Sequence, residues 1–198
     1  MRKLRIPDID ETANNLGVAF WLLWVLASSV GWIVGMSLAW LLVEFVSPVL
    51  GVGTRALIWS VGGLIVGINF GMNQWFLLRP IRQGPLGRRA GWWVLASMLG
   101  WAISLFVVIG LQTGASIGFL LIGLVIGVAV GIPQAVVLYS GSKTVWLWVV
   151  ANSVAWVAAL WIVPYLDMTI GFVAAGPISG AITGGALIGL IGKPVGED

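Results

Sequence analysis

The sequence predicts an all-α integral membrane protein: six transmembrane helices, organised as three parallel two-helix repeats in a pseudo-threefold bundle. Three observations carry that expectation. The chain of 198 residues is 60% hydrophobic and only 9% charged, whereas a soluble domain carries roughly a quarter charged residues. The charges are gathered between long uncharged runs, and two short motifs each occur three times in the same order.

The uncharged runs set the number of spans. There are 32 residues between Glu11 and Glu44, 23 between Arg55 and Arg79, 23 between Lys143 and Asp167, and 25 between Asp167 and Lys193. Each can cross hydrocarbon once, since about 20 helical residues suffice. The 53 residues between Arg89 and Lys143 make two spans and a turn, with Gln112, Thr113, Gly114 and Ser116 supplying the turn chemistry. The helices are expected near 17–43, 56–78, 91–111, 117–139, 145–163 and 170–191.

Orientation follows from the basic residues. Arg2, Lys3 and Arg5 precede the first span, Arg79, Arg82, Arg88 and Arg89 lie between the second and third, Lys143 lies between the fourth and fifth, and Lys193 follows the sixth. With six spans all of these share one side, against Arg55 alone on the other. The positive-inside bias then puts both termini, and residues 1–16 as an N-terminal segment, in the cytoplasm. The first apolar stretch is too long for a removable signal peptide and is expected to stay as a helix. The net charge of +3 is topogenic, so nucleic acid is not an expected partner.

The odd-numbered spans share one pattern: Trp24-Val25-Leu26-Ala27-Ser28-Ser29-Val30-Gly31-Trp32, then Trp93-Val94-Leu95-Ala96-Ser97-Met98-Leu99-Gly100-Trp101, then Trp148-Val149-Val150-Ala151-Asn152-Ser153-Val154-Ala155-Trp156. The even-numbered spans share another, a double GxxxG: Gly63, Gly67 and Gly71; Gly123, Gly127 and Gly131; Gly176, Gly180 and Gly184. A Gln follows three residues later in the first two copies, Gln74 and Gln134, and Leu187 in the third. This is a triplication, with repeats at 17–79, 91–139 and 145–191. Every copy starts on the same side, so the repeats are parallel and not inverted. Mitochondrial carriers also use three two-helix repeats, but their proline and acidic-basic signature is absent, which leaves a likeness of architecture alone.

Glycines four apart leave one helix face bare, which allows close backbone approach or lines a narrow central path. Trp21, Trp59, Trp92, Trp146 and Trp161 fall near span boundaries and suit an aromatic belt. The pairs Trp24/Trp32, Trp93/Trp101 and Trp148/Trp156 are eight residues apart and suit core packing, or a flat apolar ligand such as a carotenoid or quinone. No other cofactor is expected.

Amides inside hydrocarbon need partners. Gln74, Gln134, Ser28, Ser97 and Asn152 lie at similar depth, so a layer of Gln-to-Ser/Asn bonds between helices would satisfy them. Asn69 and Asn73 extend the polar stripe of the second span, where the other copies have Ala129 and Pro133, or Ile182 and Ala186. That asymmetric strip is the best candidate for a bound headgroup, water or partner contact, beside the simpler reading as interhelical clamps. Arg79, Arg82, Arg88 and Arg89, in a loop stiffened by Pro80 and Pro85, are candidates for anionic lipid or an acidic partner, beside a purely topogenic role.

Three catalytic-looking matches are incidental. Gly114-Ala115-Ser116-Ile117-Gly118 has no His to activate its serine. Gly51-Val52-Gly53-Thr54-Arg55-Ala56 follows no strand, and Gly141-Ser142-Lys143-Thr144 lacks the glycine before lysine that a phosphate loop needs. With no Cys and no His, the commonest general base and the soft metal ligands are gone. Glu44 and Asp167 are expected near helix ends, where one could pair with Arg55. No catalytic residue and no metal site are expected.

The Trp-Val-Leu-Ala-Ser start, and the Gly-x3-Gly-x2-Gln-Trp-Phe-Leu-Leu-Arg run ending at Arg79, resemble those of uncharacterised multi-pass membrane proteins of bacteria, including photosynthetic ones. The resemblance spans residues 17–192 and implies fold and location only: a bacterial inner or thylakoid-type membrane. The function expected is that of a non-catalytic subunit or scaffold that associates with other membrane subunits, with itself or with lipid. The competing expectation is a small permease, channel or substrate-capture component. Six-helix substrate-binding components of vitamin importers have similar size and topology, without a shared motif.

Overall fold

The computed structural model describes residues 9–80, 89–112, 118–138 and 146–191, and every regular element among them is helical. The helices are α1 (Ile9–Leu50), α2 (Arg55–Leu78), α3 (Trp92–Gln112), α4 (Phe119–Leu138), α5 (Trp146–Trp161) and α6 (Met168–Ile191), with short 3-10 turns at Val52–Thr54 and Val163–Tyr165. Six spans are long and apolar enough to cross a membrane, the fifth running from Trp146 to Tyr165 by adding the 3-10 turn to α5. The chain is a multi-pass membrane protein. Arg82, Arg88, Lys143, the segment 1–8 and the expected turn at 113–116 lie outside the described residues.

α1 is longer than the uncharged run suggests. It begins at Ile9 and continues through Glu44 to Leu50, because a single carboxylate does not interrupt the backbone ladder. What ends it is Gly51, whose φ of 82° is left-handed and whose N–H donates to the Ser47 carbonyl at 3.0 Å, a glycine stop favoured because no Cβ opposes that conformation. At the start of α6 the Asp167 carboxylate accepts from the N–H groups of Thr169 at 2.9 Å and Ile170 at 3.4 Å. Asp167 is therefore an N-cap, which satisfies donors that the helix itself leaves open. Glu44 and Arg55 line one small cleft of about 170 Å³ with Val43, Ser47 and Pro48.

Each helix packs on its neighbours in sequence, and α6 returns to pack on α1, so the six form a closed ring. The bare faces of the even helices decide how close the ring draws. A β-carbon added to Gly63 would lie 2.5 Å from the Trp101 carbonyl oxygen on α3, one on Gly123 2.6 Å from the Trp156 carbonyl oxygen on α5, and one on Gly180 2.8 Å from Cβ of Ser28 on α1. Added to Gly67 or Gly127, it would overlap the backbone of Met98 or Ser153. Backbone atoms cannot swing aside as a flexible side chain can. The three glycine faces thus meet α3, α5 and α1 in turn.

Inside the ring the odd helices contribute tryptophan. Trp24, Trp93 and Trp148 meet with ring centroids 5.6 to 6.4 Å apart. About 12 Å further along, two turns of helix, Trp32, Trp101 and Trp156 meet at 4.9 to 5.5 Å. All six are at most 3% exposed. Phe70, Val66, Ile126, Val130 and Ala175 fill the Trp32 layer, and Phe20, Leu78, Ala135 and Leu187 the Trp24 layer. The outer face is apolar too, with Leu26, Leu57, Leu99, Val136 and Val150 all exposed, as hydrocarbon solvent permits.

Replacing Gly67 or Gly127 with Ala should lower stability by about 1–3 kcal/mol, the usual cost of overpacking. Gly185→Ala, with nothing within 4 Å of the added carbon, should be neutral. Thermal unfolding in detergent distinguishes them, and equal midpoints for all three variants would show that the bare faces are not tight.

Candidate functional site

An indole ring is apolar except for one N–H, and a carboxamide carries both donor and acceptor. Sunk in hydrocarbon, either group is costly to leave unpaired, and the other, a hydroxyl or a backbone carbonyl can satisfy it. Gln74 on α2 and Gln134 on α4 lie one turn beyond Gly71 and Gly131, where the neighbouring odd helix comes close, and both are almost completely buried. The Gln74 amide nitrogen donates to the Ser28 hydroxyl on α1 at 3.2 Å, while its oxygen accepts from Trp93 Nε1 on α3 at 2.9 Å. Gln134 does the same one hairpin later: it donates to the Ser97 hydroxyl at 2.9 Å and accepts from Trp148 Nε1 at 3.1 Å. Each glutamine therefore bridges its own hairpin to the next.

The Gln-to-Ser bonds match the polar layer expected from depth. The indole half of the arrangement was not anticipated, although a Trp in every odd span at one register was the available signal. Asn152 departs from the expected layer. Its Nδ2 donates to the Trp148 carbonyl at 3.1 Å within α5, because α6 carries Leu187 where a glutamine would reach it. Trp24 also lacks a glutamine, and it donates to Thr183 Oγ1 on α6 at 3.1 Å. Thr183 in turn donates to the Ser179 carbonyl at 2.7 Å. Thr183, one turn before Leu187, escaped the sequence reading because it occupies a different register from the glutamines.

In the second Trp layer, Trp32 Nε1 donates to the Phe172 carbonyl at 2.8 Å. Trp101 Nε1 is buried with no hydrogen-bond partner among the described residues, and its ring stands perpendicular to that of Trp156 at 4.9 Å. That edge-to-face contact sets a positive ring edge against a negative face. Of the Trp residues expected at boundaries, Trp92, Trp146 and Trp161 are exposed. Trp21 instead is half-buried and donates to the Ala181 carbonyl at 2.8 Å, and Trp59 packs against the core.

The Asn69 strip is built differently. Asn69 Nδ2 donates to the Ile65 carbonyl at 2.9 Å and Asn73 Nδ2 to the Asn69 carbonyl at 2.7 Å. Both bonds stay on α2, and both side chains are half-buried. Cβ of Asn69 lies where α1 has Gly35, so the strip follows the seam between α1 and α2. At its end, the Arg79 guanidinium sits 5.6 Å from the Trp75 ring centroid, a cation–π contact. Arg79 and Arg89 are exposed. Glu44, Arg55 and Asp167 are exposed as well.

Compared with known proteins, the chain matches no family model, no curated protein and no solved structure. Its functional reading therefore rests on its own geometry.

Gln74→Leu would leave Trp93 Nε1 without its acceptor, and Thr183→Val would do the same to Trp24. Each should cost about 1–3 kcal/mol, the penalty for an orphaned buried donor. Midpoints of thermal unfolding, followed by tryptophan fluorescence, give the measurement. Values equal to those of the parent would show that these bonds contribute nothing.

Proposed function

We propose that this is a non-catalytic membrane subunit or scaffold, which works by association with other membrane subunits, with copies of itself or with lipid. The observation that carries the reading is the filled centre. Six tryptophans, each at most 3% exposed, occupy the axis along which a solute path would run. The aromatic stripe that suited a carotenoid or quinone is turned inward on itself, so an apolar ligand would have to bind the outer face. Carriers place ionisable groups or ion sites at mid-membrane, whereas Glu44, Arg55, Arg79, Arg89 and Asp167 are exposed. These features favour association over the competing permease reading.

The same reading includes the finer architecture. Three parallel GxxxG-bearing hairpins in a pseudo-threefold ring are supported by the recurrence of the Gln-to-Ser and Trp-to-Gln bonds in two of them and of the tight glycine faces in all three. Both termini are assigned to the cytoplasm of a bacterial inner or thylakoid-type membrane, a reading supported by the nine-to-one division of basic residues. There Arg79, Arg82, Arg88 and Arg89 would meet anionic headgroups or an acidic partner, each worth about 1 kcal/mol near the surface.

Native mass spectrometry after gentle solubilisation should show the chain with bound subunits, further copies or lipid. Purified protein in liposomes should conduct no solute; flux into them would overturn the reading. Reporter fusions after Arg89, Lys143 and Asp198 should all report cytoplasm, and one extracytoplasmic signal would overturn the orientation.

A further inference from the structure

The strip on α2 has chemistry that the interior of the ring does not use. α2 spans 24 residues, about 36 Å of helix, and the hydrocarbon core is about 30 Å thick. Asn69 then lies within about 5 Å of the midplane and Asn73 about 10 Å from it, so both are in hydrocarbon. Each gives one N–H to a carbonyl of its own helix. That leaves one N–H and the amide oxygen of each without a partner among the described residues. Half-exposed carboxamides at this depth have neither water nor a headgroup at hand, and lipid tails cannot bond them.

The free groups are self-complementary: one donor and one acceptor on each amide. Ile65, Asn69, Met72, Asn73 and Phe76 fall at i, i+4, i+7, i+8 and i+11, one face of the helix, and Met72 and Phe76 are 40% and 55% exposed. Two copies inserted the same way round and joined through the same face meet about a two-fold axis along the membrane normal, which brings like residues opposite each other. We infer that the Asn69 and Asn73 face of α2 binds a second copy of this chain, Asn69 opposite Asn69 and Asn73 opposite Asn73, each pair exchanging reciprocal carboxamide hydrogen bonds. The partner must match donor for acceptor at two depths on one helix face, and the same face of another copy does so by symmetry. This rests on the association reading above and names one of its partners.

The chain has no cysteine, so introduced thiols report cleanly. Met72→Cys keeps both asparagines and lies beside the proposed axis, while Val136→Cys on α4 faces lipid more openly still, at 66% exposure against 40% for Met72. In vesicles of phosphatidylethanolamine and phosphatidylglycerol with lipid in large excess, oxidation by membrane-permeant copper phenanthroline should link Met72→Cys at least about tenfold faster than Val136→Cys. Adding Asn69→Leu and Asn73→Leu should remove about that factor, the effect of losing two interhelical polar pairs. Their thermal unfolding midpoint verifies the fold, and if it falls, the two single-cysteine proteins alone decide. Equal linking of the two thiols, no linking of Met72→Cys, or linking undiminished by leucine would overturn the inference. A different protein or a headgroup on this face would leave Met72→Cys unlinked in vesicles of the pure chain. The native mass spectrum of a membrane extract would still show association with other subunits, so loss of the dimer and loss of the broader reading are told apart.

Discussion

An indole N–H held out of water is costly without an acceptor, and for Trp24, Trp32, Trp93 and Trp148 this interior supplies one. The bonds run between hairpins: α2 to α3 through Gln74 and Trp93, α4 to α5 through Gln134 and Trp148, α6 to α1 through Thr183 and Trp24. Close approach permits them: Gly71 and Gly131 put no side chain between their backbones and those of Val94 and Val149, and Gly184 leaves room for the ring of Trp24. The bare helix face and the buried amide are therefore two parts of one device. One brings the helices together, and the other fixes how far each is turned and slid against its neighbour.

That pairing also separates the two kinds of polar residue in the membrane. Gln74 and Gln134 spend both ends of the amide on other helices. Asn69 and Asn73 are a methylene shorter, and their amide nitrogens turn back to the carbonyl one turn earlier. A short amide on a helix surface serves its own backbone first and has only its remainder to offer outward, whereas the longer glutamine reaches across.

The number of spans was legible because charge is so costly in hydrocarbon that uncharged runs mark it directly. The Gln74 to Ser28 and Gln134 to Ser97 bonds were legible because depth can be counted from the charged boundary. Less could be read where one position answers to two demands. Trp21 and Trp59 sit where a belt residue would, yet both are drawn inward, and a position along the chain does not say which way a ring turns. The end of α1 was misjudged because Glu44 signals the limit of hydrocarbon, while Gly51 signals the limit of the helix. Thr183 was missed because the hairpin that lacks a glutamine solves the same problem one turn away, and a search by register overlooks a substitute at another register.

The closure of α6 onto α1 has a consequence for how the chain is made. Trp21, Trp24 and Trp32 emerge early, yet their acceptors are the Ala181 carbonyl, Thr183 Oγ1 and the Phe172 carbonyl, 160, 159 and 140 residues downstream. At about 5–20 residues per second of synthesis, the first helix waits roughly seven to thirty seconds in the bilayer with three indole donors unmatched. During that interval α1 is an unfinished surface. Its finished environment exists only once the last span has been threaded, so the first helix to be made is among the last to be completed.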